Sequence, residues 1–351
     1  MASDLASSAS AATPVAIVLN AVLAVVENGQ PKTLCVRGAD GALGLPYGPF
    51  DPARHRTFEI GLREWVARQT NVPLGYVEQL YTFGDRGRDA PSAAIVGGDA
   101  RARVVSVGYL AIAPEPAKLA GQDAQWRSWY EFFPWEDWRR GEPASLSPVL
   151  DALTRWIGER DSEAEQTERG RRVALAFGLG ANGWEEERAL ERYEMMYEAG
   201  LVREAWRDRD NAPPADREGA LAASGVAMAS DHRRILATAI ARVRGKLKYR
   251  PVLFDFAPDV FTLLSLQKIV EALVGFDLHK QNFRRSVDQS GLVEKTRETV
   301  QQASGRPAAL FRAATLATMD GAPQGLAIPR LKRRPSAGGA LADEDPMADW
   351  L

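Results

Sequence analysis

The 351-residue sequence predicts an α+β fold: a mixed α/β module in front, a helical connector, and a compact module of short helices and a hairpin behind. Three observations carry this. A long β-type run opens the chain, four tryptophans crowd residues 126–138, and the stretch from Phe261 to Arg312 changes from helical to strand periodicity.

Val15 to Val26 is apolar, Glu27-Asn28-Gly29 breaks it, and Thr33 to Arg37 resumes, which predicts a strand hairpin. Leu45 to Gly48 reads as a turn. Phe58, Leu62, Trp65 and Val66 keep helical spacing from Thr57 to about Thr70, and Tyr76–Phe83 and Val104–Ile112 read as strands. The aromatic run holds three acidic groups, which disfavour base stacking and favour packing against the front module or a subunit interface. Helices are expected near Leu150–Gly158 and Trp184–Trp206, and a loop over Asp208–Ser230. Asp231 then caps a helix whose stripe is Ile235, Leu236, Ile240, Val243 and Leu247. This helix is placed in the rear module, with Arg233, Arg244, Lys246 and Lys248 as backbone contacts or exposed charges.

In the rear module Thr262 caps a helix carrying Leu266, Ile269, Val270 and Leu273, and Gly275 ends it. A second helix, about His279 to Ser290, buries Phe283 and Val287 and turns Gln281, Arg284, Arg285 and Asp288 outward. Strands at Leu292–Glu294 and Ala308–Phe311 enclose a polar segment ending in Gly305, Arg306 and Pro307. This is the outline of a winged helix-turn-helix, and it points to double-stranded DNA. Arg284 and Arg285 would meet guanine in the major groove, Asn282 could read adenine from the flank beside Gln281, and Lys280 and Arg306 would reach phosphates. Residues 231–312 hold 15 Lys and Arg against 8 Asp and Glu, whereas residues 1–230 hold 25 against 33. That segregation favours phosphate binding over an ordinary solvated face.

One cysteine and three scattered histidines suggest neither a disulfide nor a zinc site, and no metal or cofactor is expected. No 18-residue apolar run suggests a membrane span, and the first residues lack a signal-peptide pattern, so a cytoplasmic protein is expected. Residues 1–13 and 316–351 are expected to be disordered, leaving modules at 14–145, 146–230 and 231–315.

Several motifs in order, Glu78–Asp89, RVVSVGYL (Arg103–Leu110), Asp231–Pro251, NFRR (Asn282–Arg285) and GRPAALFR (Gly305–Arg312), resemble the Nudix-related transcriptional regulators of NAD metabolism. The resemblance covers about residues 15–112 and 231–312, and the long middle insert is closer to the NadQ-type branch than to the NrtR type. It implies a Nudix-like α/β/α sandwich followed by a helical connector and a winged helix-turn-helix. It also implies a homodimer acting, as a repressor, on a palindromic operator, and an adenine-nucleotide effector such as ADP-ribose, NAD or ATP. Gly48 and Arg63-Glu64 match the Nudix box with one extra residue between them, but Ala67 and Arg68 stand where two glutamates belong, and Arg54 or His55 where a third does. Hydrolysis through Mg²⁺ needs those carboxylates, so no catalytic residue is assigned. From family position, Arg37, Arg88 and Arg103 are candidates for phosphate and Asp89 for a ribose hydroxyl. Two other readings stay open: a nucleotide pyrophosphatase with ligands outside the box, and a winged-helix adaptor that binds protein.

Overall fold

A computed structural model of the protein describes residues 14–38, 41–85, 87–88, 102–119, 123–249, 252–301 and 307–314. The expected leader and tail lie outside these residues.

Strands β1 (Val15–Glu27) and β2 (Gln30–Arg37) form the predicted hairpin. Its two-residue turn has Asn28 at φ 51° and Gly29 at φ 70°, the left-handed pair that matches strand twist. The expected turn at Leu45–Gly48 is instead flanked by two short strands, β3 (Leu43–Gly44) and β4 (Tyr47–Pro49), paired to β2 and β1. Helix α1 (Phe58–Thr70) starts at the Thr57 cap, and β5 (Val77–Phe83), β6 (Arg103–Ile112) and β7 (Ala124–Ser128) follow. The sheet runs β3-β2-β1-β6-β5, with β7 also on β2. The β1–β6 pair is parallel from Val15↔Arg103 to Ala24↔Ile112.

Alternation divides the sheet's side chains between two cores. Leu19, Ala21 and Leu23 pack with Leu62 and Val66 of α1, while Val22 and Ala24 face the opposite layer. That opposite layer is the aromatic segment and α8 (His232–Tyr249), which packs on β1 and β5. Ile235, Leu236, Ile240, Val243 and Leu247 are all at most 1% exposed, so the predicted stripe is correct. Its burial stabilises by roughly 1.5–3 kcal/mol per side chain. Its placement differs from expectation: α8 completes the α/β/α sandwich, and the rear module begins after Tyr249 rather than at Asp231.

The tryptophan-rich segment is core. Helix α2 (Trp129–Phe132) and a 3₁₀ turn at Pro134–Glu136 bury Trp129, Phe132, Phe133 and Trp135, with Trp138 tilted on Trp184 at 4.9 Å. The insert contains α3 (Leu146–Gly158), α4 (Glu163–Phe177), α5 (Ala189–Glu198) and α6 (Arg203–Arg207). Helix α4 was not foreseen, because one position of its buried stripe Arg169, Val173, Ala176, Phe177 is arginine. The expected loop over Asp208–Ser230 contains α7 (Glu218–Ala223), seated by the buried Ala220 and Leu221. Among the described residues no helix is long and apolar enough to cross a membrane.

Candidate nucleic-acid interface

Helix α9 (Leu263–Val274) begins in a capping box, where Ser265 N–H donates to Thr262 Oγ1 and Thr262 N–H to Ser265 Oγ, both at 3.0 Å. Gly275 ends it at φ 87°. The turn that follows is held from inside by Glu271, which is 3% exposed: its Oε1 accepts from Leu278 N–H at 3.0 Å and from Gln267 Nε2 at 2.8 Å. Gln267 also donates to Leu278 O at 2.9 Å. This clamp fixes the angle at which α10 (Lys280–Ser290) leaves α9, and sequence periodicity gave no sign of it.

Helix α10 seats Phe283 and Val287 in the core. Lys280, Gln281, Asn282, Arg284, Arg285 and Asp288 are exposed, as predicted. Lys280, Arg284 and Arg285 form no ion pair among the described residues, unlike Lys268 with Glu271 or Arg312 with Glu294. Strands β8 (Val293–Val300) and β9 (Ala308–Ala313) make a longer hairpin than expected, and Phe261 joins Phe311 through a single antiparallel bridge. Arg306 lies outside the described residues.

The segregated positive charge has another cause than phosphate binding. Residues 253–313 alone hold 8 Lys and Arg against 7 Asp and Glu; the excess sits on α8 and is neutralised internally. Arg233 meets Glu204, Arg234 meets Asp85 and Glu194, Arg242 and Lys246 meet Glu78, Arg244 meets Glu136, and Lys248 meets Glu186 and Glu187. Arg233 and Arg244 are fully buried, so neither they nor the paired lysines are backbone contacts for DNA. The candidate interface is therefore limited to the local face of α10.

Glu136 joins the modules. Its buried carboxylate takes Arg192 of α5 at 2.6 and 3.0 Å and Arg244 of α8 at 2.5 Å. Burial alone would raise its pKa, and the two guanidiniums more than reverse this. Arg244 Nε also donates to Leu273 O at 2.8 Å, Tyr130 Oη to Ala272 O at 2.6 Å, and Trp138 N–H to Gly275 O at 2.6 Å. The end of α9 is thus bonded to the sandwich.

In the front module Glu64 of α1 is engaged by Arg54 at 2.8 Å, His55 Nε2 at 3.3 Å and Arg68. These residues do not fit a divalent cation: both arginines meet Glu64 Oε1 and place positive charge where a metal would bind, and among the described residues no group of three His, Cys, Asp or Glu is placed to hold a metal. The proposed phosphate ligands do not converge. Arg88 is bidentate to Glu194 at 2.9 and 2.8 Å and stacks 3.7 Å over Tyr197, so its charge is already matched. Arg37, on β2, gives Nη1 to Gly41 O at 2.8 Å; Arg103, on β6, gives Nη2 to Gly84 O at 2.7 Å. Asp89 lies outside the described residues.

Residues 253–313 match the family described as the NrtR DNA-binding winged helix domain. The chain is 40% identical over 85 residues to the ADPR responsive transcriptional repressor NtrR of Acinetobacter baylyi, a match covering 24% of this chain and 34% of that repressor. It thus spans about a third of the length of the curated relative it matches. The crystal structure of Shewanella oneidensis NrtR complexed with a 27mer DNA aligns with 85% of this chain and 93% of that one, at 21% identity and a TM-score of 0.49. The NUDIX domain of the same protein complexed with ADP ribose aligns with 33% and 74%, at 27% identity and a TM-score of 0.28. The last module of this chain is a winged helix.

Proposed function

We propose that this chain is a cytoplasmic transcriptional repressor of NAD biosynthesis genes that works as a homodimer on a palindromic operator and answers to an adenine nucleotide. The observation that carries this is the winged helix at 253–313, matched to an NrtR DNA-binding family, with Lys280, Arg284 and Arg285 unpaired on its second helix. Two copies of that helix related by a two-fold axis would read half-sites one helical turn apart, or a multiple of it. The effector is ADP-ribose, NAD or ATP, bound by the sandwich, and the ADPR-responsive relative favours the first. Arg37 and Arg103, on different strands, are separate phosphate candidates, since among the described residues each holds only a backbone carbonyl; Arg88 is reassigned to the ion pair with Glu194. No resident cofactor is involved. Glu64, with Arg54 and Arg68 both on its Oε1, leaves the sandwich a binder and not a hydrolase.

The test is titration of duplexes from upstream of NAD biosynthesis genes, against scrambled duplexes, at several salt concentrations with and without ADP-ribose. A repressor of this kind prefers the native duplex, loses affinity steeply with salt, and shifts with effector. Equal binding to both duplexes would refute operator recognition. Incubation with Mg²⁺ and ADP-ribose should release no AMP; stoichiometrically multiple AMP would establish the hydrolase.

A further inference from the structure

The insert forms a half-open cavity of about 380 Å³, lined by α3, α4, the end of α5, α6 and the 3₁₀ turn at Ala215–Arg217. This is at the small end of ligand pockets, suited to one ring and its substituents. Trp206 supplies an aromatic wall, Trp156 lies beneath the Arg169 guanidinium, and Arg160, Arg169, Arg209 and Arg217 supply four cations. Two carboxylates face them, and both are taken: Glu159 by Arg217, and Glu198 by Arg172 at 2.6 Å from outside the cavity.

Arg169 is the informative residue. It is 9% exposed, its guanidinium lies 3.8 Å over Trp156, and its one hydrogen bond is Nη1 to Trp156 O at 2.6 Å. It meets no carboxylate among the described residues, although a buried charge ordinarily requires one. The cation–π contact offsets only part of that desolvation. Burial and the nearby Arg160 lower its pKa and outweigh Glu198, Glu159 and Glu165, which raise it. Arg217, 8% exposed on its side chain, has Nη1 without an acceptor. Arg160 touches Glu165 only at 3.8 Å, and Arg209 donates weakly to Glu198 O at 3.4 Å.

We propose that this cavity binds a small ring-bearing dianion, its negative groups on Arg169, Arg160 and Arg209 and its ring against Trp206. Two sources share that chemistry, a mononucleotide and an aromatic dicarboxylic acid. This site is separate from the sandwich and does not depend on what binds there.

Calorimetry and tryptophan fluorescence on the full chain test it, with AMP, phthalate and inorganic phosphate as probes. AMP or phthalate should bind at least tenfold tighter than inorganic phosphate, and whichever does so names the source. Arg169→Gln should weaken that probe at least tenfold, and Trp206→Phe should remove the fluorescence change. Arg209→Gln, at an exposed position, should weaken it at least threefold and serves if Arg169→Gln does not fold. Arg171→Gln, at an exposed position of α4 that does not line the cavity, should change nothing. Binding no tighter than inorganic phosphate, or undiminished binding in both Arg169→Gln and Arg209→Gln, overturns the proposal.

Discussion

Asp231 and His232, adjacent at the start of α8, are both buried and titrate in opposite senses. Burial raises Asp231 to about 7 against Arg234 and Arg88, which pull it down. Burial lowers His232 to about 3, with Arg207 adding to the effect, while its Nδ1 accepts from Leu45 N–H at 3.0 Å. Asp231 prefers to stay protonated in the fold, so its contribution is complete below its reference 3.8 and is lost as pH rises through about 7. His232 prefers to stay neutral, so its contribution is complete above 6.5 and is lost as pH falls towards 3. Each slope is about 1.4 kcal/mol per pH unit, and between roughly pH 4 and 6.5 the two oppose. The stability difference between wild type and Asp231→Asn should therefore shrink as pH rises from 4 to 7, and that against His232→Gln should grow. Urea melts across this range measure both. Parallel curves would mean that neither group is as desolvated as its burial indicates.

At the scale of elements, α10 is presented by a turn clamped on Glu271 and is cationic only locally. Arg284→Ala and Arg285→Ala should each cost about 1–3 kcal/mol of operator binding and relax base preference. Lys280→Ala should weaken all duplexes alike and lower the salt slope by about 1. Anisotropy titrations with native and scrambled duplexes separate these. If neither arginine variant changes affinity, α10 is not the reading helix. The sequence made the helix, its caps and its exposed face legible, because Phe283, Val287 and Gly291 obey local rules. It misattributed the basic residues of α8, since their carboxylate partners lie on β5, the aromatic segment and the insert, distant in the chain. Arg233 and Glu204, for example, meet only because two helices fold together.

For the whole molecule, Glu136 is the contact that most closely links sandwich, insert and reader. Glu136→Gln leaves Arg192 and Arg244 buried without their shared counter-charge, which should destabilise by about 3–5 kcal/mol. Because Arg244 also bonds the end of α9, the variant should lose effector response to a greater degree than DNA affinity. Thermal melts and duplex titrations with and without ADP-ribose report these separately; an unchanged melting temperature would show that the hub is not a structural keystone. Gly275 meets the same hub, where any Cβ would run into Glu136 O.

The hairpin, α1 and the two helices and hairpin of the winged module are all legible in residue order alone. Each depends on periodicity, capping or residue type within a few positions. It took long-range packing to show that α8 belongs to the sandwich, that the positive excess is internal, that Arg88 serves Glu194, and that Arg169 lies buried at a cavity with no ion pair of its own among the described residues. Those outcomes depend on which charge meets which across long chain separations, and local patterning contains no record of such pairings.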